Sequence, residues 1–326
     1  MSFSGKVKEE LSYQHSPQRH CQIAEITAIT MLCGCIAVDK YNRFSIKIQT
    51  ENVRVARKYF TLLKKAFNID CSFVVRQRKI GRKTRVYLLK VGKHEDALKV
   101  LKAAKILDMA GNLPDEICLT NQIVVQKDCC KRAFIRGAFL AIGSVNDPEK
   151  SYHLELVADN IARAELLVEL IRSFHIDARI VERKGSHVVY VKEAEGISDF
   201  LNLMESHVQM MEFENIRILK EISNTVNRQV NCETANLNKT VTSAVKQIED
   251  IHYIQETAGL EILAPTLRDT ARARLTYPSL PLKDLGEKMV PSVGKSGINH
   301  RLRKISEIAD ELRKGKNVSD EGNRKV

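Results

Sequence analysis

Apolar and polar residues form two different patterns along the chain. Positions 44–50 and 152–158 alternate strictly, which predicts half-buried strands, whereas 22–34 and 130–142 are almost continuously apolar and predict buried helices. From about residue 205 the alternation disappears and a helical period of three to four takes over. The pattern therefore predicts a mixed α+β region followed by an all-helical one.

The α+β region contains an internal repeat. At an offset near 108, residues 44–53 align with 152–161, and further along Val86-Tyr87-Leu88 falls on Val189-Tyr190-Val191. Each copy predicts a helix, a strand, a helix introduced by Glu-Asn or Asp-Asn, two more strands and a closing helix. Two copies are too few for a solenoid, so we expect a pseudo-twofold pair packed like a fused dimer.

The first helix of each copy carries small residues at spacings of three or four. Ala24 and Ala28 in the first copy and Gly137 and Ala141 in the second would let two helix backbones approach closely. Two ordinary buried helices are the alternative. The duplication favours direct packing of these helices at the twofold axis.

Charge is concentrated at one end of the chain. The net charge is +12, with a pI near 9.3, and residues 1–130 carry 23 Lys and Arg against 12 Asp and Glu. The densest basic run, 76–85, predicts the tip of a β-hairpin. It is either a solvated loop or a phosphate-contacting finger. Its candidate phosphate contacts are Arg76, Arg78, Lys79, Arg82, Lys83 and Arg85.

The eight cysteines show none of the Cys-x2-Cys pairs that are typical of structural zinc sites. We interpret them mainly as small buried hydrophobic residues and predict no metal site and no cofactor. No stretch is apolar enough for a membrane helix, and the first residues lack a secretory hydrophobic region. The sequence therefore predicts a cytoplasmic protein.

The C-terminal region predicts two long helices, 205–230 and 240–256, joined by a polar connector at 227–240. After it, a short helix at 282–289, a tight turn and a second helix at 295–312 give the order of a helix-turn-helix. The second helix carries an apolar stripe, and its other face is polar and basic. A solvated face on a helical bundle is the alternative interpretation.

The polar face supplies the candidate DNA-binding residues. Ser296 and Asn299 suit base edges, whereas the basic residues suit phosphates. The full set is Lys295, Ser296, Asn299, His300, Arg301, Arg303 and Lys304.

The segment Arg136-Gly-Ala-Phe-Leu-Ala-Ile-Gly-Ser-Val145 resembles the signature helix of LAGLIDADG homing endonucleases, and 26–35 resembles it more weakly. In that family an acidic residue near the end of each signature helix holds the catalytic divalent metal. Cys33 and Ile142 stand at those positions here, and neither suits Mg²⁺. The resemblance therefore implies the nuclease fold without catalytic residues; an active metal-dependent endonuclease is the rival hypothesis.

Across essentially its whole length, the chain resembles the WhiA regulators of Gram-positive bacteria, most specifically at 136–145, 227–236 and 294–304. The resemblance implies an α+β fold, a duplicated αββαββα LAGLIDADG-like pseudo-dimer, followed by an all-α helix-turn-helix domain similar to that of sigma factors. It also implies a non-enzymatic role in transcription control, sporulation, cell division and chromosome partition and organisation.

The expected boundaries are 1–125 and 126–222 for the two repeats, 223–257 for a helical linker and 258–326 for the helix-turn-helix domain. We expect the chain to be a monomer that binds double-stranded DNA, is associated with the nucleoid and does not contact a membrane. We also allow for a second partner, another transcription or division protein. Whether the duplicated domain touches DNA or serves only as an interaction platform stays open at this point.

Overall fold

The computed structural model describes residues 1–77, 85–107, 111–113 and 122–322. It divides into two compact units, Met1–Glu221 and Ile222–Val326. The first unit mixes helices with two four-stranded sheets, and the second is helical. Within the described ranges, no helix combines the length and the hydrophobicity that crossing a bilayer requires. The predicted α+β class is confirmed.

The first repeat follows an N-terminal helix that the sequence pattern did not predict. This N-terminal helix is α1 (Phe3–Tyr13). The repeat itself consists, in chain order, of α2 (Arg19–Cys33), β1 (Gly34–Val38), β2 (Phe44–Thr50), α3 (Val53–Phe67), β3 (Ser72–Gln77), β4 (Arg85–Val91) and α4 (His94–Ala103). Asn52 caps α3, since its side chain accepts a hydrogen bond from the Arg54 amide at 2.9 Å. The predicted Glu-Asn helix start is therefore correct.

The second repeat has the same order of elements after a short 3₁₀ turn, Gln122–Val125. They are α5 (Asp128–Ile142), β5 (Gly143–Val145), β6 (Leu154–Ala158), α6 (Ile161–Arg172), β7 (Arg179–Arg183), β8 (Ser186–Val191) and α7 (Ala194–Leu203). Asn160 caps α6 as Asn52 caps α3. The sequence periodicity did not predict β1 and β5, each of which begins at the residue after the preceding helix ends. The αββαββα order is confirmed.

Each repeat contains one antiparallel sheet, ordered β1-β2-β4-β3 and β5-β6-β8-β7. One face of each sheet packs against the helices, with Ile46 and Ile48 buried in the first and Leu154 and Leu156 in the second. Alternating strands place the intervening residues on the opposite, open face. Burial of one face only is what the alternating sequence pattern predicted.

The helices α2 and α5 pack directly against each other, as the small residues predicted. A Cβ atom on Gly137 would lie 2.7 Å from the carbonyl oxygen of Glu25 and 2.9 Å from the Cβ of Ala28. No larger residue fits there without moving the facing backbone. These two helices therefore form the centre of the pseudo-twofold pair.

The repeat alignment is wrong in its last third. Ser72 pairs with Lys90 in the first sheet, and the equivalent pair in the second is Arg179 with Tyr190. The chain between the paired positions is seven residues longer in the first repeat. Matching Tyr87 to Tyr190 ignored this difference, and the structure aligns Val91 with Val191 instead.

The predicted break at 227–240 does not exist. One helix, α8, runs without interruption over His207–Thr257, so the linker 223–257 is part of it. The sequence of α8 contains neither Gly nor Pro, and Asn and Thr each disfavour a helix by less than about 1 kcal/mol. The density of polar residues indicated solvent exposure rather than a helix end.

The second unit continues with a 3₁₀ turn, Leu260–Ile262, and three helices: α9 (Pro265–Thr276), α10 (Leu282–Glu287) and α11 (Lys295–Gly322). Its core combines apolar residues from the end of α8 and from these helices, among them Ile254, Leu267, Leu285 and Leu302. The predicted short helix, turn and longer helix are confirmed, with α11 extending beyond residue 312.

Candidate nucleic-acid interface

A tight turn sets the geometry between α10 and α11. The Val293 amide donates a hydrogen bond to the carbonyl oxygen of Gly286 at 3.0 Å. A Cβ atom on Gly286 would overlap the carbonyl oxygen of Val293, so the close approach requires glycine. Beneath the turn, Leu285 and Ile298 are fully buried. This packing fixes the direction in which α11 leaves the turn.

The face of α11 opposite its buried stripe is open to solvent. The stripe, Ile298, Leu302 and Ile305, is at most 1% exposed. Six of the predicted DNA-binding residues are exposed on the first three turns: Lys295, Ser296, Asn299, His300, Arg303 and Lys304. Arg303 is also 3.5 Å from Glu307 in an exposed ion pair, which is weak enough to break on contact with a phosphate. Amide, imidazole and cationic groups are thus presented together.

Arg301 differs from these six residues. It is half-buried, and its Nη1 atom lies 3.5 Å from the Thr270 hydroxyl on α9. Position 301 lies between the apolar stripe and the exposed face of α11, and the Arg301 side chain extends toward α9. Arg301 therefore stays a predicted contact, at the edge of the exposed face rather than on it.

A cavity of about 380 Å³ adjoins the start of α11. Lys295 and Asn299 line it together with Lys239 and Thr240 of α8 and Lys283 of α10. Sequence reasoning missed these last three residues as part of the site. The Asn- and Thr-rich composition of 227–240 was the available signal, but nothing in the sequence placed this segment beside α11.

Arg274 connects the elements around this cavity. Its guanidinium donates to the Gln247 side chain on α8 at 3.1 Å and to the carbonyl oxygen of Leu280 at 2.7 Å. The residue is 1% exposed, and burial lowers the pKa of its guanidinium. Arg274 therefore fixes α9 and the α9–α10 connection against α8 rather than offering a charge to a ligand.

A second candidate surface is the open face of the first sheet. Lys47 and Lys90 lie directly opposite each other on β2 and β4, and both are exposed. The equivalent pair in the second sheet is Glu155 and Tyr190. The two open faces therefore differ in charge, and only the first presents adjacent ammonium groups in this row.

The basic run 76–85 is described only at its ends. Arg76 and Arg85 are exposed at the adjoining ends of β3 and β4, where Arg76 pairs with Val86 and Arg85 with Gln77. The other candidate phosphate contacts, Arg78, Lys79, Arg82 and Lys83, lie outside the described residues. The antiparallel pairing of the flanking strands agrees with the predicted hairpin.

The ends of α2 and α5 carry Cys33 and Ile142 where the nuclease motif requires acids. The Cys33 thiol is 3.3 Å from the Ile29 carbonyl oxygen, and burial raises its pKa to about 12. Lys8 lies nearby, with its Nζ atom 3.1 Å from the Leu140 carbonyl oxygen, and burial lowers its pKa to about 8. A neutral thiol and an aliphatic side chain are poor ligands for Mg²⁺, and a lysine with a pKa of about 8 is still mostly a cation at neutral pH.

Glu25, an acid close to the signature segment, is already paired. It is fully buried, with Oε1 3.2 Å from the Lys58 ammonium and 3.3 Å from Nε of Arg136. Arg136 also contacts Glu205 at 2.6 Å. These four residues form a network inside the first unit, so Glu25 holds the two repeats together and has no access to solvent.

Family profiles match three consecutive parts of the chain. Residues 19–107 match the WhiA N-terminal LAGLIDADG-like domain, 131–223 the WhiA LAGLIDADG-like domain, and 226–309 the WhiA C-terminal HTH domain. These matches cover both repeats, most of α8 and the helix-turn-helix.

Relatives and a solved structure match at nearly full length. The chain is 51% identical to the probable cell division protein WhiA of Lachnoclostridium phytofermentans, over 96% of this chain and 100% of the relative. The Alkaliphilus oremlandii protein of the same name is 47% identical over 97% and 99%. The crystal structure of full-length WhiA from Thermatoga maritima superposes with a TM-score of 0.58 at 25% identity, covering 95% of this chain and 99% of that one.

Proposed function

Since the chain belongs to the WhiA family, we propose that it is a non-enzymatic, sequence-specific DNA-binding protein that regulates transcription. The observation that carries the proposal is the exposed face of α11, where Ser296 and Asn299 stand among basic residues. In a helix-turn-helix, such residues at the start of the second helix contact base edges in the major groove. The relatives' name, probable cell division protein, supports cell division as the process served, and we propose chromosome organisation beside it.

The groups around the α11 start have separate roles in this proposal. Asn299 pairs with a base edge, while Lys295, Arg303 and Lys304 contact phosphates and fix the register of the helix on the duplex. Lys239 and Lys283, which line the adjoining cavity, extend the phosphate contacts to α8 and α10. A single helix-turn-helix in one chain predicts a non-palindromic site bound by a monomer.

The test compares two variants of the full chain on a genomic fragment that the protein protects in a footprint and on a scrambled duplex. We expect Asn299→Ala to lose discrimination between the two duplexes by about 1–3 kcal/mol. Arg303→Ala should weaken binding to both duplexes alike and reduce the salt slope by about one.

Lys314→Ala is the matched control, because Lys314 is exposed on the same helix about 16 Å beyond Arg303. It should leave affinity and discrimination unchanged. Equal, small effects of all three changes would refute the assignment of α11 as the recognition helix.

The absence of enzymatic activity is proposed from the chemistry of the signature-helix ends. Cys33 and Ile142 offer no oxygen ligand, and Glu25 is held by two cations in the core. Incubation of the protected fragment with Mg²⁺ or Mn²⁺ should leave the duplex intact. Strand cleavage that disappears in Asp147→Asn, which changes the acid two residues beyond β5, would establish the endonuclease hypothesis instead.

A further inference from the structure

A group of histidine and cysteine side chains outside the candidate DNA interface has the spacing of metal ligands. His20, Cys21, Cys129 and Cys130, here called the His-Cys cluster, place one ligand atom each within 4.8 Å of all the others. Nδ1 of His20 is 3.2 Å from Sγ of Cys130 and 3.3 Å from Sγ of Cys21. Among the described residues, no other group of three or more such side chains has this spacing.

The pseudo-twofold symmetry brings the His-Cys cluster together. His20 and Cys21 are the second and third residues of α2, and Cys129 and Cys130 are the second and third residues of α5. Because α2 and α5 pack directly on each other, these equivalent positions meet. Each repeat thus supplies two ligands, and neither half of the set resembles a metal motif in the sequence.

We propose that the His-Cys cluster binds one Zn²⁺ ion through three thiolates and the Nδ1 atom of His20. Three sulfur ligands and one imidazole are a common set for a structural zinc site with four protein ligands. Zn–S bonds of about 2.3 Å and a Zn–N bond of about 2.0 Å place tetrahedral ligand atoms roughly 3.5–3.8 Å apart. The ligand atoms of the His-Cys cluster are at most 4.8 Å apart, so side-chain rotations that shorten the widest ligand–ligand distance by about 1 Å complete this geometry.

The surroundings of the His-Cys cluster favour a thiolate-rich ion. On binding, the three thiols release their protons to solvent as the Zn–S bonds form, so the site carries one net negative charge. All four ligands lie in the first turns of α2 and α5, where the partial positive charge of a helix N-terminus favours thiolates. This effect and the charge of the ion act against burial, which raises the pKa of the Cys21 and Cys130 thiols. Hard cations such as Mg²⁺ prefer oxygen ligands and are excluded by this donor set.

The proposed ion has a structural role. It ties the start of α2 to the start of α5 and thereby joins the two repeats at one end of their shared helix pair. Cys21 and Cys130 are 2% and 4% exposed, whereas His20 and Cys129 are exposed, so an ion can enter from solvent without unfolding the core. Zinc should therefore raise the thermal stability of the first unit.

The test measures metal content and binding in the full chain, purified under reducing conditions. We expect one Zn²⁺ per chain, and after removal by a chelator, Co²⁺ should give the absorption of tetrahedral thiolate coordination. Cys130→Ser should weaken Zn²⁺ binding by more than about 100-fold, because it removes a direct ligand. Cys232→Ser is the matched control, since that thiol is exposed on α8, and it should bind Zn²⁺ as the parent chain does.

A second variant separates lost ligation from lost folding. Cys129→Ser changes an exposed side chain, so it should keep the circular dichroism spectrum of the parent and still lose the Co²⁺ absorption. Absence of bound metal in the parent chain would overturn the proposal. So would a metal-free disulfide between Cys21 and Cys130 in reducing preparations, or an equal loss of binding in Cys232→Ser.

Discussion

Glu25 shows how far a single residue can be understood from the sequence. Its identity and its place in an apolar helix were visible, and both made it a conspicuous acid near the nuclease motif. Its partners are Lys58 and Arg136, which are distant in the sequence and follow no local period, so their pairing could not be predicted. The same holds for the His-Cys cluster, whose two halves are separated by more than a hundred residues.

The buried network makes Glu25 important for stability. Glu25→Gln removes the carboxylate that pairs with Lys58 and Arg136, both almost fully buried; Arg136 keeps Glu205, whereas the Lys58 ammonium loses its ion-pair partner. We expect the free energy of unfolding to fall by about 3–5 kcal/mol, measured by urea denaturation followed by circular dichroism.

The control for this prediction is Asp177→Asn, which breaks the exposed Asp177–Arg179 pair and should cost less than about 1 kcal/mol. A loss of the same small size in Glu25→Gln would show that the network contributes little.

At the scale of elements, periodicity located helices and strands well where one face of each is buried. It placed β2 within its observed bounds and found the Asn-capped starts of α3 and α6. It failed where burial imposes no pattern. Residues 221–243 of α8 are exposed throughout. Apolar residues do recur there at helical spacing, at 222, 226, 230, 237 and 241, but they face no core, and the polar composition between them was taken for a connector.

The continuity of α8 gives a prediction for Asn231, in the middle of its exposed part. Asn231→Pro removes a hydrogen bond and should disfavour the helix by about 3 kcal/mol or more, whereas Asn231→Ala should favour it slightly. Far-ultraviolet circular dichroism should show lost helix for proline only.

Because no core residue lies in this stretch, the thermal unfolding of both units should stay where it is in the parent chain. Unchanged helix content in Asn231→Pro would contradict a continuous α8, and unfolding of a whole unit would show that residues near 231 support a core.

At the scale of the whole molecule, the positive charge is distributed unevenly between two copies of one fold. The surplus of positive charge lies in residues 1–130. On the open face of the first sheet Lys47 and Lys90 lie opposite each other, whereas the equivalent pair in the second sheet is Glu155 and Tyr190. Composition alone located the charge but could not show which residues share an open face. Identifying the residues that share a face requires the strand register. Aligning the two repeats by sequence gives the wrong equivalences in β4 and β8, because the chain between the paired positions of β3 and β4 is seven residues longer than in β7 and β8.

This asymmetry predicts that the first sheet contributes to DNA affinity through phosphates. If Lys47 and Lys90 each contact one, the double change Lys47→Ala with Lys90→Ala should reduce the slope of log affinity against log salt by roughly two, equally on specific and scrambled duplexes. The matched control is Lys99→Ala with Lys102→Ala, which removes the same charge from α4, a helix that packs on the other face of the sheet. An unchanged slope in the first variant would favour the alternative in which the duplicated domain contacts proteins and DNA binding belongs to the C-terminal unit.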